Sequence, residues 1–442
     1  MGGATFKGGV HPDYRKELTA SLAITAMPAP AKVVIPLQQH IGAPCEALVQ
    51  VGDTVKLGQK IGESKGFVSA PVHASVSGTV VAIGPYNHPL GRKVEAITIE
   101  SDGQDTWHED IKPHGSLESL SPEEIKAIIR EAGLVGMGGA TFPAHVKLAP
   151  PPEKPIDTVI INGAECEPYL TADHRLMLEK PNELVFGLKI MLKALGASVG
   201  IIGIENNKPD ALRVMRQAVE GEANISVVAL PTKYPQGAEK MLIYATTRRK
   251  VPSGGLPMDV GVVNHNVGTA VAMCEALHKG KPLVERVVTV TGEGVARPAN
   301  LMVRIGTLVS EVLKACGGLK ETTRKLIIGG PMMGLAQTSA DIPVIKGTSG
   351  ILALTEENVD LSEPSTCIKC AKCVGACPVN LVPTFIAQAA EHELIQRAEK
   401  LHAADCIECG CCSFICPSRI PLTQWIRLAK ADILERRRQQ QK

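Results

Sequence analysis

The rhythm of apolar and polar positions changes several times along the chain, and each change marks a unit. Between about residues 30 and 100 the runs are short and alternate. Residues 49–62 and 70–81 alternate around Gly52-Asp53 and Ser77-Gly78 turns, which predicts β-hairpins. At Ser121-Pro122-Glu123-Glu124 the signal becomes that of a helix start: a serine cap, proline in the first position and acids in the first turn. This helix should run to about Gly133. Apolar runs then alternate with helical spacing: strands over 158–161, 199–204 and 225–230, and helices over 181–195, 209–219 and 236–247. That order predicts an α/β layer on a largely parallel sheet. Residues 285–335 read as a small α+β unit, with strands over 286–291 and 325–328 and a helix over 308–315. Near the C-terminus Ile386, Ala390, Leu394 and Ala398 recur every four residues, which predicts one amphipathic helix. The expected units are residues 1–115, 116–280, 281–354 and 355–442.

Composition narrows the class. A chain of 442 residues should hold about three or four domains. Its net charge of +2 gives no nucleic-acid footprint. Aromatic residues make up only 3%, against 42 Gly and 31 Pro, which suits many turns and short strands. No apolar run reaches the roughly 20 residues of a membrane span. The nearest, residues 184–204, is broken by Lys189 and Lys193 and reads as helix, Gly196, then strand. The expectation is a soluble or peripheral protein in a reducing compartment, without a signal peptide.

The cysteines add chemistry. One pattern occurs twice: Cys367-x2-Cys370-x2-Cys373-x3-Cys377-Pro378 and Cys406-x2-Cys409-x2-Cys412-x3-Cys416-Pro417. Each run matches the bacterial two-cluster ferredoxin spacing, in which the fourth cysteine ligates the other cluster. Cys367, Cys370, Cys373 and Cys416 are therefore assigned to one [4Fe–4S] cluster, and Cys406, Cys409, Cys412 and Cys377 to the second. A four-coordinate zinc needs only one CxxC…CxxC set, so two proline-closed runs of four weigh against zinc. Two such clusters mean one-electron transfer. The other five cysteines are Cys45, Cys166, Cys274, Cys316 and Cys411. Buried thiols of this kind usually pack as small hydrophobes.

Three polar patches interrupt the α/β unit. Gly136-Met137-Gly138-Gly139-Ala140-Thr141-Phe142 is a turn whose backbone N–H groups can approach an anion, with Lys147 beyond it. A plain helix-to-helix turn explains it equally well. The first strand runs into Asn162-Gly163-Ala164-Glu165-Cys166-Glu167, at the strand end where ligands of open α/β sheets bind. Asn264-His265-Asn266-Val267-Gly268-Thr269 follows another apolar strand. Each patch alone could be turn chemistry. Met1 to Phe6 also repeats Met137 to Phe142.

With these residues in view, the chain resembles a known family. The three patches resemble the FMN- and NADH-binding subunit of respiratory complex I. The whole order resembles the C subunits of Rnf complexes, over nearly the full length. Residues 6–12, Phe-Lys-Gly-Gly-Val-His-Pro, resemble that family's opening signature. The hairpin region resembles a biotinyl/lipoyl-type barrel sandwich, although Lys65 lies in Glu-Ser-Lys-Gly rather than a carrier context, so a scaffold role is expected. The resemblance implies a multidomain α/β and α+β fold. Its parts are a barrel-sandwich domain (1–115), an α/β flavin-type domain (116–280), a β-grasp (SLBB) domain (281–354) and a helical two-[4Fe–4S] ferredoxin-like domain (355–442). It implies FMN, two [4Fe–4S] clusters, and NAD(H) as substrate. The other subunits of a membrane complex would be its partners, with ferredoxin acting indirectly, at the cytoplasmic face of the membrane. Gly136, Gly138, Gly139 and Lys147 would hold the FMN phosphate. Asn162, Glu165 and Glu167 would line the flavin and nicotinamide pocket. Gly237, Glu239, Asn266 and Thr269 would contact the flavin, and Phe142 would stack on the nicotinamide or pack under the turn.

The chain departs from the complex I pattern where those relatives carry an arginine (here Met137), an aspartate (Ala164), a serine (Cys166) and a second acid (Ala238). These losses remove charge near the flavin and bear on NAD more than on FMN. Two other readings use similar parts. A cobalamin reductase of the PduS type would place its flavin domain before the sandwich. A non-catalytic electron wire would carry the clusters and bind no nucleotide.

Overall fold

The computed structural model describes residues 5–440, so Met1 to Ala4 of the repeated hexapeptide lie outside the described residues. The predicted hairpins form two small antiparallel sheets. One runs in the order Lys32–Pro36, Arg92–Ser101, Gly78–His88, Thr54–Val55, and the other Cys45–Ala47, Lys60–Ser64, Val72–His73. Val33, Ile35, Ile61, Val72, Val80, Ile97 and Ile99 fill the space between them. Lys65 pairs with Glu46 at the surface.

The α/β unit opens with the helix Pro122–Glu131, whose N-terminus carries the capping box read from the sequence: Ser121 and Glu124 satisfy each other's backbone N–H. Its sheet is all parallel, in the order Ile225–Leu230, Val199–Glu205, Thr158–Gly163, Val262–Asn266. Helices cover the sheet, so Val159, Ile160, Ile161, Ile202 and Ile204 are all fully buried. Each such side chain contributes about 1.5–3 kcal/mol of apolar burial. Chain order along the sheet is third, second, first, fourth. The direction of winding therefore reverses between Thr158–Gly163 and Val262–Asn266, and the carboxyl ends of those two strands form the switch point where such sheets bind ligands.

The third unit is a six-stranded sheet in the order Ile24–Ala26, Ala299–Arg304, Glu285–Thr291, Gly350–Thr355, Thr323–Ile328, Leu335–Gln337. Its edge strand comes from the N-terminal region, pairing parallel with Ala299–Arg304. Residues 6–26, expected within the 1–115 sandwich, instead leave it and cross the other units.

The C-terminal unit is helical. The single helix expected between the cysteine runs is two, Pro383–Glu391 and Ile395–Lys400. Glu393 takes a left-handed φ of 56° between them, and Leu394 turns outward, 45% exposed. Ile386, Ala390, Ile395 and Ala398 still share one core with Ile426, Ala429 and Ile433 of the long helix Leu422–Gln440. Among the described residues no helix is long and apolar enough to cross a membrane.

Candidate functional site

The switch point is built by two asparagines. Asn162 and Asn266 end adjacent strands and are partners in register. Asn162 Nδ2 donates to the Gly237 carbonyl at 2.8 Å, while its Oδ1 accepts from Ala164 N at 3.2 Å. Asn266 caps the helix Val267–Lys279 through Gly268 N at 2.8 Å, and its Nδ2 donates to Asp173 at 2.6 Å. Each asparagine has a glycine against it. A Cβ on Gly138 would lie 2.8 Å from Asn266 Nδ2, and one on Gly237 would lie 3.4 Å from Asn162 Oδ1. Thr269 Oγ1 accepts from Met137 N at 3.0 Å. Five residues singled out in the sequence, Gly138, Asn162, Gly237, Asn266 and Thr269, thus meet over the two strand ends.

The turn is closed at its base by Gly136 N donating to the Phe142 carbonyl at 2.8 Å. Gly138, Gly139 and Ala140 are exposed at its tip, and Phe142 is half-buried. From beneath, the fully buried Arg286 of the β-grasp sheet donates to the Met137 carbonyl at 3.3 Å. Burial lowers its pKa to about 10. This guanidinium supplies positive charge near the turn from another unit, at a position that local sequence pattern could not reveal.

Three of the expected site residues have partners within the protein. Lys147 does not stand free for an anion: its Nζ donates to Glu239 at 2.9 Å and to the Asn264 carbonyl at 2.8 Å. Glu165 turns inward and accepts from Asp173 N at 2.7 Å and His174 N at 3.2 Å. The open amides at the N-terminus of the helix Ala172–Glu179 offer its carboxylate a better partner than solvent does. Glu167 accepts from Met332 N (3.1 Å), Met333 N (2.9 Å) and the Tyr234 hydroxyl (3.3 Å), which ties the loop to the β-grasp unit. Burial raises its pKa to about 7. Both carboxylates are engaged by backbone amides.

Two lysines missed in the sequence hold this loop from inside. Lys16 Nζ donates to the carbonyls of Glu165 (2.8 Å), Glu167 (3.0 Å) and Leu170 (2.5 Å). Lys208 Nζ donates to the Ala164 carbonyl at 2.7 Å. Burial drives the Lys16 pKa down and the Glu165 pKa up, and their mutual attraction opposes both shifts. Beside Gly237 the Gln236 side chain is fully buried with both amide atoms unpartnered, and Asn264 Oδ1 is likewise unpartnered. The idle Gln236 amide beside Gly237 fits a polar ring system that carries both donors and acceptors.

The cysteines fall into two environments. Cys377, Cys406, Cys409 and Cys412 line one cavity, closed by Pro378, Leu381 and Ile426. This fits a cluster with one ligand from the first run and three from the second. Cys370 and Cys416 are the thiols that act electrostatically on Cys373, and Cys367 Sγ sits 3.8 Å from Thr384 Oγ1 beside the same group. Cys370 is exposed. The inner set abuts the flavin-type loop: Cys409 and Cys411 share an apolar core with Cys166, Tyr234, Val10 and Ala376. Cys166 Sγ accepts from Gly237 N at 3.2 Å, and burial raises its pKa, as does the nearby Glu205.

Known proteins align with each unit. Residues 4–104 match the RnfC barrel sandwich hybrid domain, and residues 129–275 the Nuo51 FMN-binding domain. Residues 287–336 match the SLBB domain, and 360–417 a 4Fe-4S dicluster domain. An NAD+-reducing [NiFe]-hydrogenase structure in the H2-reduced state superposes with a TM-score of 0.49 at 18% identity, over 73% of this chain and 64% of that one. The C subunit of the proton-translocating ferredoxin:NAD(+) oxidoreductase complex of Clostridium ljungdahlii is 53% identical, over 97% of this chain and 94% of its own length. The C subunit of the Na(+)-translocating ferredoxin:NAD(+) oxidoreductase complex of Acetobacterium woodii is 51% identical, over 98% of both chains. With the four domain matches in the expected order and such identity end to end, this chain belongs to the family of C subunits of Rnf-type ion-translocating ferredoxin:NAD+ oxidoreductase complexes.

Proposed function

We propose that this chain is the peripheral electron-transfer subunit of a membrane ferredoxin:NAD+ oxidoreductase complex. It exchanges electrons between NAD(H), FMN and two [4Fe–4S] clusters. The other subunits of the complex are its partners and carry the coupling to ion movement. Ferredoxin is reached through them, at the cytoplasmic face of the membrane. The observation that carries the reading is the shared core of Cys166 and Tyr234 with Cys409, which joins the flavin-type loop to the inner thiol set.

In this reading Gly136, Gly138 and Gly139 cradle the phosphate, and Asn162, Gly237, Asn266 and Thr269 frame the flavin. Lys147 and Glu239 act as a pair that holds the helix Glu239–Thr247 to the strand end. Lys16 and Lys208 keep the loop from Ala164 to Leu170 rigid. Cys377, Cys406, Cys409 and Cys412 hold one cluster, and Cys367, Cys370, Cys373 and Cys416 the other. When bound, the flavin converts between two-electron exchange with NAD(H) and one-electron exchange with the clusters. The protein fixes their separation and keeps water from the junction, where Tyr234 and Cys411 are fully buried.

Anaerobic purification followed by assay of iron, sulfide and FMN, with an NADH titration, tests this. The expected result is about eight irons per chain and flavin absorbance bleached by NADH. A second reading is a wire that binds no nucleotide, favoured by the internal engagement of Lys147, Glu165 and Glu167. It predicts full iron without flavin. Zinc in place of iron contradicts both.

A further inference from the structure

We infer that the N-terminal arm, residues 6–12, is a clamp that sets the separation between the flavin site and the inner thiol set, with Gly8 and Gly9 as its positioning residues. The inference rests on the flavin-to-cluster reading above.

The arm lies between the two units it would hold. Gly9 N donates to the Ala376 carbonyl at 2.8 Å, on the segment leading into Cys377. One residue later Val10 and Tyr234 exchange both backbone hydrogen bonds, at 2.8 and 2.9 Å. Tyr234 begins the loop that carries Gln236 and Gly237. Two consecutive residues thus tie the inner cysteine run to the flavin-side loop through main-chain atoms alone. Phe6 fixes the outer end of the arm: Lys233 Nζ donates to its carbonyl at 2.9 Å and lies 4.6 Å from the centre of its ring. Val10 is buried in the same core as Cys166, Tyr234, Ala376, Cys409 and Cys411. Beyond the arm the chain stays on the flavin loop, where the Tyr14 carbonyl accepts from Tyr169 N at 2.7 Å and Lys16 binds three carbonyls.

Both glycines are dictated by this geometry. Gly8 and Gly9 have φ of +80° and +82°, a region L side chains rarely adopt. A Cβ on Gly8 would sit 2.7 Å from the Cys377 carbonyl oxygen, and one on Gly9 would sit 2.5 Å from that of Tyr234. Each side chain added here pushes one unit away from the other. The units keep other ties, including Ser253 to Asp405 at 2.6 Å and Gly254 N to Asp405 at 3.2 Å, so the push alters spacing without parting them. The electron count is simple. A hydride from NADH brings two electrons and one proton; each cluster accepts one electron, and the single proton leaves to solvent.

The test uses Gly8→Val and Gly9→Val in the full chain with cofactors bound. Iron and FMN content, NADH-driven flavin bleaching and direct cluster reduction by dithionite should match the parent. Reduction of the clusters by way of the flavin, followed by rapid mixing, should slow on the order of tenfold or more. Phe6→Ala, which adds no bulk, should slow it less. Hydrogen exchange at Val10 and Tyr234 should rise in all three variants. Parent-like transfer rates in variants with full iron and flavin overturn the clamp. Should the valine variants lose iron, Phe6→Ala decides by the same comparison. A parent chain with iron but no flavin defeats the relay reading instead. Hydrogen exchange then still reports on the clamp, and unchanged protection at Val10 and Tyr234 overturns it.

Discussion

The two cysteine runs share one spacing but open in different environments. Cys367-Ile368-Lys369-Cys370 and Cys406-Ile407-Glu408-Cys409 open their runs with the same local geometry. Lys369 and Glu408 both take left-handed φ, 57° and 56°, and each donates its N–H to the preceding cysteine sulfur, at 3.4 and 3.3 Å. There the likeness ends. Ile368, Lys369 and Cys370 face solvent, whereas Cys409 is buried against the flavin-type unit and Glu408 is paired with Arg427 (3.0 Å) and Lys430 (2.9 Å). Spacing sets what a run can ligate. Packing sets which run faces the flavin loop and which faces outward.

The largest effect should come from breaking the asymmetry itself. Cys409→Ala should remove one cluster and abolish NADH-driven reduction of the remaining, outer one. Cys370→Ala should also remove one cluster yet leave the inner one reducible. Cluster EPR after NADH addition checks both, and equal behaviour would erase the distinction. Next is Glu167→Ala, which strips the acceptor from Met332 N, Met333 N and Tyr234 beside the inner set. A loss of about 3 kcal/mol is expected from the donors left unpaired, read by denaturant unfolding, with the inner cluster lost before the outer. The smallest is Glu408→Gln. Burial pushes the Glu408 carboxyl up, but Lys430 and Arg427 outweigh it and hold its pKa below the usual carboxylate range. The depressed value means stabilisation that is present above the ordinary carboxylate pKa and lost as pH falls through the folded value. Acid should therefore loosen the inner loop of the parent, by about 1 kcal/mol, while Glu408→Gln shows no such pH dependence. Cluster retention across a pH series that extends below the ordinary carboxylate range measures this.

Much of this architecture was legible in the sequence, because its signals are local. The alternation that predicts the parallel sheet is a property of residues a few positions apart. The helix Pro181–Leu195, the left-handed Gly196 and the strand Val199–Glu205 follow from apolar spacing and one glycine. What stayed hidden depends on distant partners. Lys16 reads as a surface lysine, yet its carbonyl acceptors lie 149 to 154 residues away. Glu165 and Glu167 read as pocket acids because their sequence context resembles a flavin loop. The amides that claim them belong to a helix start and to the β-grasp unit. The every-four spacing over Ile386 to Ala398 holds only in part: where the helix breaks, Leu394 turns outward and Ile395 takes its place in the core beside Ile386, Ala390 and Ala398.

The most direct measurement is rapid anaerobic mixing of the intact chain with NADH, following flavin absorbance and freezing samples for EPR. The relay predicts flavin bleaching first, then the cluster signal lost in Cys409→Ala, then the signal lost in Cys370→Ala. A cluster reduced before the flavin, or the exposed cluster reduced ahead of the buried one, would contradict it.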